Sequence, residues 1–246
     1  MLAVEPRAAP TMPEDSAVAP EPNERAYDIR YVAVIADGHR RWARARGASV
    51  GAGYEAGVDT AWSCVHDAID LRVQELTLFC FSTENWRRPR EEVDGLMALA
   101  EKRIAADTEG LAGSGVRMRF IGRSDALPAS LAERMRWAEQ LTASNDAITL
   151  FLAFNYGGRR EIEDAAAGFA QNGGRSFADC LYAPEMHDPD VLIRTGGDKR
   201  LSNFMLWRLA YTELVFRDEF WPDFTRECFE DSLAEFASRR RRFGGS

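Results

Sequence analysis

Nowhere in the 246 residues is there an apolar run of about 18 residues, the length a membrane-spanning helix needs. No transmembrane segment is therefore expected. The four cysteines (Cys64, Cys80, Cys180 and Cys228) are far apart, three of them inside apolar runs, with no pair at metal-knuckle or redox spacing. They read as buried thiols in a reducing cytoplasm. Positive charge is also in deficit: 31 basic residues face 39 acidic ones, a net charge of −8. That excludes a general coat for nucleic acid or anionic membrane, so any anion must be held by local clusters of arginine. No G-x-G-x-x-G follows the first apolar strand, which removes a nucleotide-binding oxidoreductase, and no internal repeat is visible.

What is present is 46% hydrophobic residues, enough for one sizeable α/β domain. Residues 1–27 hold half the prolines among Ala, Glu and Asp without an apolar core, and read as a disordered leader rather than a signal peptide. From residue 28 to 246, short β-branched or aromatic runs alternate with longer helical patterns, which predicts a mostly parallel sheet. Strands are expected at Tyr31–Ala36, Leu76–Phe81, Val116–Ile121, Ile148–Phe154, Val191–Arg194 and Glu213–Phe216. Helices are expected near Ala56–Leu71, Glu91–Gly110, Ala129–Ala143, Arg160–Gln171, Phe204–Leu209 and Arg226–Arg240. Trp207, Phe216, Phe220 and Trp221 read as core.

In such sheets ligands gather beyond the carboxyl ends of the strands. Four polar segments fall there. Arg194-Thr195-Gly196-Gly197-Asp198-Lys199-Arg200-Leu201-Ser202 sets fixed cations on either side of a Gly-Gly turn with a hydroxyl close behind, an arrangement suited to a diphosphate. Asp37-Gly38-His39-Arg40-Arg41-Trp42 is an Asp-capped helix start on its plainest reading; Arg40 and Arg41 beside a carboxylate also make it a cradle for an anion and a divalent cation. Ser82-Thr83-Glu84-Asn85-Trp86-Arg87-Arg88 is either a capping box or a cluster of hydroxyl, amide and guanidinium groups. Asn155-Tyr156-Gly157-Gly158-Arg159 is either a tight turn into a helix or a fourth contributor. At the C-terminus, four consecutive arginines, Arg239 to Arg242, form either a solvated tail or an arm reaching an anion across a subunit interface.

Taken together, Asp37-Gly38-x-x-Arg41-Trp42-Ala43, Phe81-Ser82-Thr83-Glu84-Asn85-Trp86-x-Arg88-Pro89, Asn155-Tyr156-Gly157-Gly158-Arg159, Arg194-Thr195-Gly196-Gly197-x-x-Arg200-Leu201-Ser202-Asn203-Phe204 and Arg242-x-Gly244 closely resemble the motifs of the cis-prenyltransferase family, whose best-known member is undecaprenyl diphosphate synthase. The resemblance implies a single-domain, six-stranded, mainly parallel sheet flanked by helices around a hydrophobic tunnel, in a homodimer. It implies transfer of prenyl groups between prenyl diphosphates, with Mg²⁺ as cofactor. By that resemblance Asp37 holds Mg²⁺, aided by Glu213. Gly38, Arg40, Arg41 and Trp42 meet the allylic diphosphate, and Arg194, Arg200 and Ser202 the homoallylic one. Ser82, Asn85 and Arg88 lie between, and the tail with Arg242 and Gly244 closes over the second site, reaching the neighbouring subunit's.

The chain departs from the family pattern at three places. His39 stands where the family usually has Asn, and an imidazole beside Asp37 can serve as base or proton relay. Val50 and Tyr54 replace an expected Arg and His, and the segment between Gly168 and Asp188 is short. These changes leave the second site intact and rebuild the first. The expectation is a short product, C10 to C15, by head-to-middle coupling of two allylic diphosphates; regular head-to-tail synthesis of a long polyprenyl diphosphate is the alternative. Bulky Trp62, Phe79 or Met97 are candidates for the tunnel floor. A non-catalytic partner subunit is disfavoured, since Asp37, Arg194, Arg200 and Glu213 are all present.

Overall fold

The computed structural model describes residues 28–171 and 176–239, so the expectations for the leader and for Arg242 and Gly244 lie outside the described residues. Six strands form one sheet in the order β3-β4-β2-β1-β5-β6, and every pairing is parallel. These are β1 (Tyr31–Ile35), β2 (Glu75–Ser82), β3 (Val116–Ile121), β4 (Ile148–Tyr156), β5 (Val191–Arg194) and β6 (Glu213–Phe216). A parallel sheet needs cover on both faces, and β1 shows why its residues are uniformly apolar. Val32 and Val34 pack into one core with β2, and Tyr31, Ala33 and Ile35 into the other. Burying each of the larger side chains contributes about 1.5–3 kcal/mol.

The helices are α1 (His39–Ala45), α2 (Val50–Asp70), α3 (Arg90–Gly113), α4 (Ala129–Leu141), α5 (Gly158–Gln171) and α6 (Arg226–Ser238). The first core joins the sheet to α2, α3, α4 and α6; the second, smaller core includes Phe204, Met205 and Leu209. Helix α2 begins six residues before its expected start, because Ser49 caps it by accepting the Ala52 N–H at 3.1 Å. Its glycines at 51, 53 and 57 had disguised that first turn.

The expected helix over Phe204–Leu209 does not form. Ser202, Asn203 and Met205 adopt positive φ values of 50, 62 and 41°, which a right-handed helix cannot accommodate, and only a 3-10 turn at Arg208–Tyr211 follows. The twist carries Phe204 into an aromatic stack on Phe79, with ring centroids 4.4 Å apart. Trp207 is 46% exposed rather than core, Phe216 and Phe220 are half-buried, and Trp221 is buried as expected. Among the cysteines only Cys64 is fully buried.

Candidate active site

Strand β1 sits where the chain's progress across the sheet reverses, with β2 on one side and β5 on the other. At such a switch point the helices depart to opposite faces and leave a crevice. The register pairs Ile35 with Arg194, so the two strands end side by side and deliver Asp37 next to Arg194. Buried Thr195 pins the junction: its hydroxyl accepts the Asp37 N–H and donates to the Asp37 carbonyl, both at 2.9 Å. The Arg194 guanidinium donates to Asp37 Oδ2 at 2.8 Å, to Ser202 Oγ at 2.8 Å and to the Arg200 carbonyl, while its Nε has no partner among the described residues. A buried cation tied on three sides is a rigid anchor for an anion.

The Gly196-Gly197 turn does not work as an anion nest. Both residues have positive φ, 83 and 77°, yet their N–H groups donate to the Glu219 and Arg217 carbonyls at 2.7 and 2.8 Å. What the glycines permit is close approach, since a Cβ on Gly196 would lie 2.8 Å from Arg41 Nη2. Arg41 donates to the Gly196 carbonyl at 2.6 Å and pairs with both Asp37 and Asp198. Arg200 grips Asp198 through two bonds of 2.9 and 2.8 Å. Gly38, with φ of 112°, lets its backbone lie against Phe220, and its N–H donates to Asp37 Oδ1.

On the other side of Asp37, Ser82 and Asn85 form the capping box of a 3-10 turn (Thr83–Arg87), which aims the following Arg88 at α2. Arg88 donates to the Tyr54 hydroxyl at 2.5 Å and to Glu92 at 3.2 Å, and Tyr54 in turn donates to Glu92 at 2.8 Å. Burial pushes the Tyr54 hydroxyl up to about 12. His39 stacks on Tyr54 with ring centroids 5.3 Å apart and sits in a notch of α2, where a Cβ on Gly57 would come within 2.3 Å of its Nε2. Burial lowers the imidazole pKa to about 4, outweighing the opposing pull of Asp37. His39 is thus a neutral base at physiological pH.

These groups ring the mouth of a cavity of about 720 Å³. Asp37, His39, Ser82, Asn85, Arg88, Arg194, Arg200 and Ser202 all line it, so the crevice collects them from β1, β2, β5 and their following loops. Behind them the wall becomes apolar: Val58, Ala61 and Trp62 from α2, Leu96, Leu99, Ala100 and Ile104 from α3, and Phe79, Phe120, Leu152 and Phe154 from the sheet. Small residues Gly57, Ala61 and Ala100 leave the slot open between the two helices. Trp62 lies eight residues beyond Tyr54, about 12 Å along the helix. It donates to Asp107 at 2.6 Å; Arg103 bonds the same carboxylate at 2.7 Å and Asp59 at 2.8 Å, tying α2 to α3. Of the three floor candidates, Trp62 and Phe79 line the cavity, whereas Met97 is buried outside it. Cys80, expected to be buried, owes its exposure to this cavity.

Other predicted residues lie elsewhere. Arg40 is exposed on α1 and does not line the cavity. Trp42 donates to Asp223 at 2.8 Å and stacks under Arg46, a packing role away from the slot. Glu213 opens β6 at the amino-terminal end of the sheet, paired with Arg239 at 2.9 Å, so it cannot share an ion with Asp37 of the same chain. In the fourth segment, Asn155 accepts from Trp86 and donates to the Arg123 carbonyl, and the first N–H groups of α5 are taken by Asn203. That segment braces the site's loops without lining the cavity.

The profile of the undecaprenyl diphosphate synthase family matches residues 35–244. The chain belongs to this family. It is 41% identical over 225 residues to the isoprenyl transferase of Thermotoga maritima, covering 88% of this chain and 97% of that protein. It is 43% identical to a ditrans,polycis-undecaprenyl-diphosphate synthase, (2E,6E)-farnesyl-diphosphate specific, of Pseudomonas syringae pv. tomato, over 87% of this chain and 90% of that one. Among solved structures it resembles lavandulyl diphosphate synthase from Lavandula x intermedia, in complex with dimethylallyl diphosphate, with TM-score 0.84, 34% identity and coverage of 88% and 98%. A probable undecaprenyl diphosphate synthase of Campylobacter jejuni gives TM-score 0.77, 31% identity and coverage of 89% and 99%. The chain is a prenyl-transferring enzyme. Among the described residues no helix is long and apolar enough to cross a membrane. Sequence reading did not single out Asp198, Glu92 or the glycine notch under His39. Asp198 was in view between Arg194 and Arg200, but its contact with Arg41 exists only in three dimensions.

Proposed function

We propose that this isoprenyl transferase joins an allylic C5 or C10 diphosphate to a second C5 diphosphate, releasing a C10 to C15 isoprenoid diphosphate, and that it couples two allylic units head-to-middle. The volume of the slot carries this reading. At about 720 Å³ it falls in the range of pockets that enclose one drug-sized ligand, the size class of a C10 to C15 diphosphate. A long polyprenyl diphosphate would have to displace the Trp62–Asp107–Arg103 closure. Head-to-middle coupling is supported by the rebuilt first site, where Tyr54 and Glu92 engage Arg88, and by the likeness to lavandulyl diphosphate synthase.

The chemistry follows from charge. Breaking the allylic carbon–oxygen bond leaves the electron pair on the departing diphosphate and a cation on carbon. Arg41 stands at the first headgroup, where that negative charge develops, and a positioned guanidinium there stabilises the departing diphosphate. The double bond of the second substrate attacks the cation to form the new carbon–carbon bond. A proton then leaves an adjacent carbon for neutral His39 or for a diphosphate oxygen. The apolar walls keep water from quenching the cation.

Mg²⁺ is the cofactor proposed. Mg²⁺ commonly takes one or two carboxylates with substrate phosphates filling its shell, and Asp37, whose side chain is 30% exposed at the rim, fits that donor set. When bound, the ion neutralises diphosphate charge. Glu213 could join it only from a second copy, in keeping with a homodimer working in the cytoplasm.

The test is product analysis by mass and NMR from labelled dimethylallyl diphosphate alone, and from dimethylallyl or geranyl diphosphate with isopentenyl diphosphate, with and without chelator. A branched C10 product from dimethylallyl diphosphate alone is expected. A ladder reaching dozens of carbons with isopentenyl diphosphate would establish instead the regular reading, which the names of the bacterial relatives favour.

A further inference from the structure

Each cation at the mouth is already neutralised by a carboxylate of the chain, and one carboxylate reaches three of them. Asp198 Oδ2 lies 2.8 Å from Arg200 Nη2, 3.2 Å from Arg41 Nη2 and 4.0 Å from Arg194 Nη2, while its Oδ1 accepts from Arg200 Nη1 at 2.9 Å. It thus presents oxygen to three guanidiniums as a phosphate would. The side chain is 31% exposed and follows two glycines, and among the described residues its hydrogen bonds go to Arg41 and Arg200. Arg41 comes from α1 and Arg200 from the loop after β5, so Asp198 bridges the group assigned to the first headgroup and the group assigned to the second.

We propose that Asp198 is a stand-in anion that couples the two diphosphate sites: it must leave before either headgroup is seated, and its single departure clears both. This rests on the two-site reading given above. Whichever diphosphate arrives first bears the cost of removing the carboxylate, and repels it afterwards. The second finds its arginine already released. Binding is therefore mutually favourable, and linkage requires the same factor in both directions. Asp198 is a positioning residue in this scheme, acting through Arg41 and Arg200.

The experiment is calorimetric titration at fixed Mg²⁺ with isopentenyl diphosphate and with an unreactive allylic thiolodiphosphate, each alone and with the other at saturation. In the unmodified chain each ligand is expected to tighten the other about fivefold, the low end for coupled sites. Asp198→Asn keeps the side chain's size, should tighten each ligand alone, and should bring the coupling factor to one or below. Asp218→Asn removes a charge beside the same turn, near Gly197, and should leave the coupling in place. An unchanged coupling factor in Asp198→Asn, or equal loss in Asp218→Asn, overturns the inference while leaving two sites standing. An unmodified chain that binds only one diphosphate overturns the two-site reading itself, and the inference with it.

Discussion

Replacing Trp62 with alanine should lengthen the tail the slot accepts. The indole lines the deep part of the cavity, and its removal deletes nine heavy atoms, opening room for about nine more carbons if each fills the space of one heavy atom. That is nearly two further isoprene units. The loss of packing costs stability, about 3 kcal/mol at the low end for Trp→Ala because Trp62 is only half-buried. Arg103 keeps its bonds to Asp107 and Asp59, so α2 and α3 stay joined. None of the headgroup residues is touched. The assay offers allylic starters of five, ten, fifteen and twenty carbons with a C5 partner and measures kcat/KM for each, beside a thermal melt. The expected result is a cutoff moved to longer starters with the C5 rate little changed. A folded variant with the same starter cutoff would refute the idea that this wall sets the reach of the slot.

Asp37→Asn should abolish turnover while the fold survives. The amide oxygen can still accept from Gly38 or Arg194, but buried Arg194 loses its close counter-charge, a cost of about 3 kcal/mol, or roughly 6–12 °C in a melt. A variant retaining a tenth of the rate would remove Asp37 from the chemistry. Gly57→Ala should push the imidazole of His39 out of its notch and cut kcat by about 10², the loss typical of a missing base, and His39→Asn should do the same. The double variant should lose no more than either single one, and additive losses would show that the glycine acts through something else. A third expectation concerns the second core, where Glu161 is buried against Tyr156 and desolvation raises its carboxyl pKa. A raised pKa means that its contribution to folding is fullest below about pH 4.3, the unfolded value, and is lost as pH rises through the folded one. Glu161→Gln should therefore gain stability relative to the unmodified chain between pH 4 and 8 in urea titrations. A difference independent of pH would contradict that.

The parallel sheet was legible because β1, β4 and β5 are continuous apolar runs, a pattern set by burial on two faces. The residues at the strand ends were legible for a related reason, since a parallel sheet brings its carboxyl ends to one edge whatever the strand order. Less of the helical detail could be read: glycines cut for His39 concealed the start of α2, and left-handed residues at 202, 203 and 205 broke an apparent helix. Sequence by itself determined the residue types that a diphosphate and an isoprenoid tail require, because charge and apolarity belong to each side chain. Only the tertiary structure decided their partners. Asp198 meets Arg41 across 157 residues, His39 rests in α2, and Glu213 falls at the far end of the sheet, since distance between chain segments is fixed by packing and leaves no mark in local sequence.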